Sequence, residues 1–239
     1  MVTSSPVGGP AERVPSTWRG PGREAYAPVW IAIALAAVLQ LVTPSVMDGW
    51  VDLTLCSLLV LALVVLVVAS REDGRLVARH IHGHSTPARR FSQLVIVLLS
   101  IANLGTGLVL TVEILGDSSD FDAFDLLVNT GAVWVTNVIV FALWYWEYDR
   151  GGPGRRAEGT GALPTAFVFP QMADPELAAP DWRPFFFDYL YVSFTNAASF
   201  ASADAVPTAR WAKAAMLCQS ALSLSLLLLV LSRVAGLLG

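Results

Sequence analysis

The residues best placed to do chemistry lie in DYLYVSFTNAASFASADAVPT, positions 188–208. On a helix, Asp188, Tyr191, Thr195, Ser199 and Ser202 fall at offsets 0, 3, 7, 11 and 14, which puts them on one face. Asn196 sits beside that stripe. A polar stripe turned toward lipid is costly, so it is expected to face the bundle interior. Two readings stay open. In one, the stripe lines a polar path, with Asp188 as an ion or proton site at its inner mouth. In the other, Ser, Thr and Asn bond neighbouring helices, and Ala197 and Ala201 allow close packing.

Other polar residues interrupt apolar runs and could meet this stripe in a polar core. Asn103, Thr106 and Glu113 share a helical face, Thr130 sits beside Asn137, and Gln219 and Ser223 are one turn apart. Glu113 lies near the end of its run, beside Asp117, and there an interfacial role suits it. His80, His82 and His84 in HIHGH raise a metal hypothesis, since imidazole binds several transition metals. The arginines around them favour a solvated basic loop near anionic headgroups instead. No Walker motif, H-E-x-x-H, G-x-S-x-G or dinucleotide fingerprint occurs. A non-enzyme without cofactor or metal is therefore expected, and nothing points to nucleic acid.

Lipid must be the solvent for the elements that position these residues. Of 239 residues, 55% are hydrophobic and only 14% charged, against about a quarter charged in soluble domains. Cys56 and Cys218 both lie in apolar runs and read as small hydrophobes. Residues 1–27 have no apolar period and read as a disordered tail. A span needs roughly 20 apolar residues. Pro28–Val46, Val51–Ser70, Phe91–Leu115, Leu126–Trp146 and Trp211–Leu238 qualify. Phe185–Ala203 would be just long enough for a further span, and a segment that dips in and returns is the alternative. The expected fold class is thus all-α, a bundle of six transmembrane helices.

Arginines set the orientation. Counting sides by alternation, 12 of the 15 basic residues fall on the N-terminal side, in the tail and in the segments 71–90 and 147–184. The loops 47–50 and 116–125 hold none. The N-terminus is expected in the cytoplasm and, with six spans, the C-terminus as well. Trp50 and Trp211 would then mark the outer surface.

Two resemblances add to this. SFTNAASFASADAVP resembles the potassium-channel pore helix and filter, with Ser193, Asp204 and Pro207 in matching places. Phe200-Ala201-Ser202-Ala203 replaces the filter's V-G-Y-G, however. Alanine in a left-handed conformation costs roughly 1–2 kcal/mol per residue, which argues against that filter. Over about 143–238 the chain resembles the bacterial membrane family called domain of unknown function 1345. The carriers are ALWYWEYDRGG, FVFPQ, PDWRPFFFDYLYVSFT and ARWAKAAMLCQSALSLS. That resemblance implies a multi-pass architecture and no activity. The combined expectation is an inner-membrane, channel- or transporter-like protein. Its partners would be the lipid bilayer, further copies of itself, and an ion or small polar solute. The alternative is a non-catalytic scaffold or regulator acting through its basic loops.

Overall fold

A computed structural model describes residues 27–42, 87–116, 123–153, 156, 164–174, 176, 182–201 and 205–238. The chain is mostly helical over these residues. Its elements are α1 (Ala27–Val42), α2 (Pro87–Leu115), α3 (Ala123–Tyr148), β1 (Phe167–Val168), the short α4 (Pro170–Ala173), α5 (Phe186–Ser199), β2 (Val206–Pro207) and α6 (Arg210–Leu238). The expected run over 51–70 lies outside the described residues, as does the 1–26 part of the tail.

Three helices, α2, α3 and α6, are long and apolar enough to cross a membrane. They have 29, 26 and 29 residues. At 1.5 Å per residue each rises about 40 Å, more than the ~30 Å of hydrocarbon. α1 has 16 described residues. More than half of the membrane-length part of α3 is buried, against about a third or less for α2 and α6. α3 is therefore the central post, and the apolar outer faces of α2 and α6, including Leu104, Leu108, Leu227 and Leu228, are exposed.

Side-chain pairs fix the directions. α2 runs antiparallel to α3, because Gln93 meets Glu147, Ser100 meets Trp144, and Gly107 faces Val133. α6 is also antiparallel to α3, through Tyr148 with Trp211, Tyr145 with Gln219, and Asn137 with Ser223. α1 runs parallel to α2. Val29, Ile33 and Ala36 share a core with Val95 and Leu99, and Gln40 reaches Asn103 and Thr106.

α5 departs from the expected crossing over 185–203. Its 14 residues rise about 21 Å and end at Ser199, where Phe200 takes a left-handed conformation (φ 57°, ψ 24°). By Val206 the chain is back beside β1. Phe167 pairs with Pro207 and Val168 with Val206, antiparallel, and the Thr208 amide donates to the Ala166 carbonyl. Trp211 then packs on both Tyr148 and Phe167, and Phe167 packs on Tyr189. The end of α3, the start of α5 and the start of α6 thus lie together. Trp211 belongs to the end of the bundle that holds Tyr148, not to the opposite one. The composition of 185–206 did not reveal this stop, because a left-handed phenylalanine replaces the usual glycine signal.

Phe200→Gly is expected to keep the fold with little change in stability. Phe200→Ile should lower it by about 1 kcal/mol or more, since a β-branched residue resists the left-handed region. Thermal melts in detergent would check this, and equal melting points for the two variants would contradict it.

Candidate functional site

The buried polar residues form three groups along α3. The first closes its last turn. After Tyr148 the chain reverses through Asp149–Gly151, with Arg150 at φ 50° and Gly151 and Gly152 at φ 78° and 97°. The two glycines adopt such values at no steric cost. Asp149 is fully buried. Its Oδ1 accepts from the Ala166 amide at 2.6 Å and from Thr165 Oγ1 at 3.3 Å, and its Oδ2 accepts from the Tyr189 hydroxyl at 2.6 Å. Arg156 donates to the main-chain oxygens of Trp146 and Asp149, both at 2.7 Å. Its guanidinium also lies over the rings of Trp146 and Tyr189 at 5.8 and 5.3 Å. Phe167 and Phe169 close around Tyr189. A buried carboxylate on a tyrosine could in principle handle a proton. Here two short donors, from Ala166 and Tyr189, occupy it and aromatic rings enclose it, so the arrangement works as a clasp.

The second group lies between α3, α5 and α6, with Gln219 at its centre. Gln219 Oε1 accepts from the Tyr145 hydroxyl at 2.7 Å and from Asn196 Nδ2 at 3.0 Å. Its Nε2 donates to Ser193 Oγ at 2.7 Å and to the Ser193 carbonyl at 3.0 Å. Ser193 Oγ donates to the Val138 carbonyl at 2.7 Å, and Asn196 Nδ2 also reaches the Met216 carbonyl at 3.0 Å. Further along, Asn137 Nδ2 donates to Ser223 Oγ at 3.2 Å. The donors and acceptors of Gln219 are thus all matched.

The third group lies on the α2 side of α3, where Gln40 of α1 also reaches α2. Gln40 Nε2 donates to Asn103 Oδ1 at 3.4 Å, and Thr106 Oγ1 donates to Gln40 Oε1 at 3.0 Å. On α3, Asn129 and Thr136 are each 1% exposed, and among the described residues neither the Asn129 amide nor the Thr136 hydroxyl has a hydrogen-bond partner. Seven residues, close to two turns, separate them, so they share a face. Asn129 precedes Glu147 by five whole turns, and Glu147 meets Gln93 of α2. The face they share is therefore turned toward the α2 side of the bundle. Thr130, at right angles to it, is also buried without a partner among the described residues.

The expected stripe does not form a core. Tyr191 and Ser199 are exposed on the outward face of α5, and Thr195 is half-buried. Thr195 and Ser199 bond back to the carbonyls of Tyr191 and Thr195 on their own helix. Asp188 is a helix cap, because its Oδ2 accepts from the Phe185 amide at 2.7 Å. A carboxylate in the first turn also suits the helix dipole. The inward face carries Phe186, Tyr189, Val192, Ser193, Asn196 and Ala197 instead. Its larger apolar area decides the rotation of the helix, and Asn196 goes inward with it. Asn103, Asn137 and Gln219 are buried as expected, but in two separate groups. Ser202 and the three histidines lie outside the described residues, as does the side chain of Glu113.

Asp149, Tyr189, Arg156, Tyr145, Gln40, Asn129 and Thr136 were not singled out from the sequence. The signals for some were present: Gln40 inside an apolar run, Asn129 and Thr136 at helical spacing, and Gly-Gly after Asp149. No protein family, curated protein or solved structure matches this chain.

Asp149→Ala should lower stability by on the order of 3 kcal/mol, since it strands a buried hydroxyl and a buried amide. Gln219→Leu should cost about 2 kcal/mol, because four bonds are lost at roughly 0.6 kcal/mol each. Ser199→Ala, on the outward face, should change little. Chemical unfolding in detergent micelles checks the ranking, and an equal loss for Ser199→Ala would contradict the assignment of faces.

Proposed function

We propose that this is a multi-pass protein of the cell inner membrane, channel- or transporter-like, whose polar path runs along the α2 side of α3. The observation that carries this reading is the pair Asn129 and Thr136. Buried polar groups are nearly always partnered, and an unmade bond costs about 1–3 kcal/mol. Two such side chains on one face of the central helix of a lipid-soluble bundle are a cost that structure alone does not repay. A polar solute passing along this α2–α3 seam would satisfy them. The competing reading is a scaffold acting through its basic loops. The fully matched Gln219 network favours it, since that part of the core is built to stay closed.

The topology on this reading has five crossings: α1, the 51–70 run, α2, α3 and α6. The parallel course of α1 and α2 supports a crossing between them in the chain. α5 enters partway from the face where α3 ends and comes back to it. The arginines put that face in the cytoplasm. α6 then leaves from the cytoplasmic side, so the C-terminus lies outside, opposite to the expectation from six spans.

A phosphatase reporter fused after Gly239 is expected to be active only outside the cytoplasm. A cytoplasmic fluorescent reporter at the same place should stay dark, and the reverse result would restore six spans. Purified protein in liposomes should pass a small polar solute above the protein-free rate. Flux equal to empty liposomes would favour the scaffold.

A further inference from the structure

The unmade bonds also bear on what passes, an inference that rests on the transport reading above. Asn129 leaves both ends of its amide open, a donor and an acceptor, and Thr136 adds a hydroxyl that can do either. Gln40, Asn103 and Thr106, level with Thr136 and about two turns from Asn129, supply amides and a hydroxyl that bond each other. All five side chains are neutral, and the Glu113→Gln variant below tests the acidic residue at helical spacing from Asn103 and Thr106. A dehydrated cation needs a shell made of oxygens alone, as in a filter of carbonyls, and the Asn129 amide N–H groups would oppose it. An anion needs positive charge or a helix N-terminus. Glu147 and Arg90 lie toward the other end of the seam, Glu147 near Gln93 and Arg90 exposed. α2 and α3 pack closely here, since a β-carbon at Gly107 would lie 3.5 Å from Val133.

We infer that the α2-facing side of α3 takes a small uncharged solute with both hydrogen-bond donors and acceptors, of the size of water to urea, and that Asn129 and Thr136 are its specificity-determining contacts.

The test uses the full chain in liposomes. Urea entry is followed by light scattering after rapid mixing. Potassium and chloride flux are followed with dyes in the same vesicles. Urea permeability should rise several-fold over empty vesicles, with ion flux unchanged. Asn129→Leu and Thr136→Val should each bring urea entry down toward the empty-vesicle rate. Thr195→Val, on the outward face of α5, should leave it as it was. Melting points of the two seam variants should equal or exceed that of the parent, because an unpartnered polar group is replaced by an apolar one.

Ion flux without urea flux would overturn the inference while leaving the transport reading in place. Cation flux that Glu113→Gln abolishes would do the same and would point to a charged lining. Urea flux indifferent to both seam variants would overturn the site. Passage of neither class would remove the transport reading and this inference with it. The wild-type selectivity needs no variant, so the inference stays open to refutation even if a variant fails to fold.

Discussion

The carboxylate of Asp149 determines how the second half of the chain is arranged. It is wholly buried and holds two short donors from two separate stretches, the Ala166 amide and the Tyr189 hydroxyl, with the Thr165 hydroxyl, which donates to the Phe167 carbonyl, beside it. A buried charge survives only when its lone pairs are filled. The requirement therefore runs outward from the end of α3. It fixes where the 164–168 segment lies, and so where β2 must return to pair with it. It also fixes Tyr189, one turn into α5. Arg156 reinforces the same point by bonding the carbonyls of Trp146 and Asp149. With both flanks of α5 tied to one end of α3, the 14-residue helix ends partway along the bundle.

The rotation of α5 follows from competition between its two faces. Tyr191, Thr195 and Ser199 make a tidy stripe, yet two of them satisfy their hydroxyls on the helix backbone. Such residues can face outward at modest cost. Phe186, Tyr189 and Val192 bury far more apolar area, and Ser193 and Asn196 have partners waiting on α3 and α6. Burial and matched bonds thus act together and outweigh the stripe. Asn196 and Gln219 then join α5 to α6, which keeps the short helix in place although lipid-length packing is absent.

Much of the architecture was legible because bilayer thickness is a coarse ruler. The runs 91–115, 126–146 and 211–238 match α2, α3 and α6 to within a few residues at each end. Buried polar residues in those runs were legible too: Asn103, Asn137, Gln219 and Ser223 are all inside. Partnership was not. Offsets along one helix say which residues share a face, but not which face another helix will choose. Offsets therefore left Asp188 open between an ion or proton site and a structural role, and in the structure it caps α5. The end of α5 was illegible for a different reason. Phe200 and Arg150 both take left-handed conformations that sequence assigns to glycine or asparagine. Asp149 escaped notice because an acidic residue at a helix end usually faces water. Its burial depends on Tyr189, 40 positions later.

The contrast between the two polar groups of the core separates structure from function more sharply than burial does. Gln219 makes four bonds to three residues, and any solute entering there would have to break them. A network so closed contributes rigidity and register between α3, α5 and α6. Asn129 and Thr136 lie on the same central helix with equal burial and no such partners. The Gln219 network is therefore a closed part of the core, while Asn129 and Thr136 face α2 without partners among the described residues. On the transport reading proposed above, the α2 side of α3 is the one along which helices would shift to admit a solute, since Asn129 and Thr136 would gain bonds by doing so.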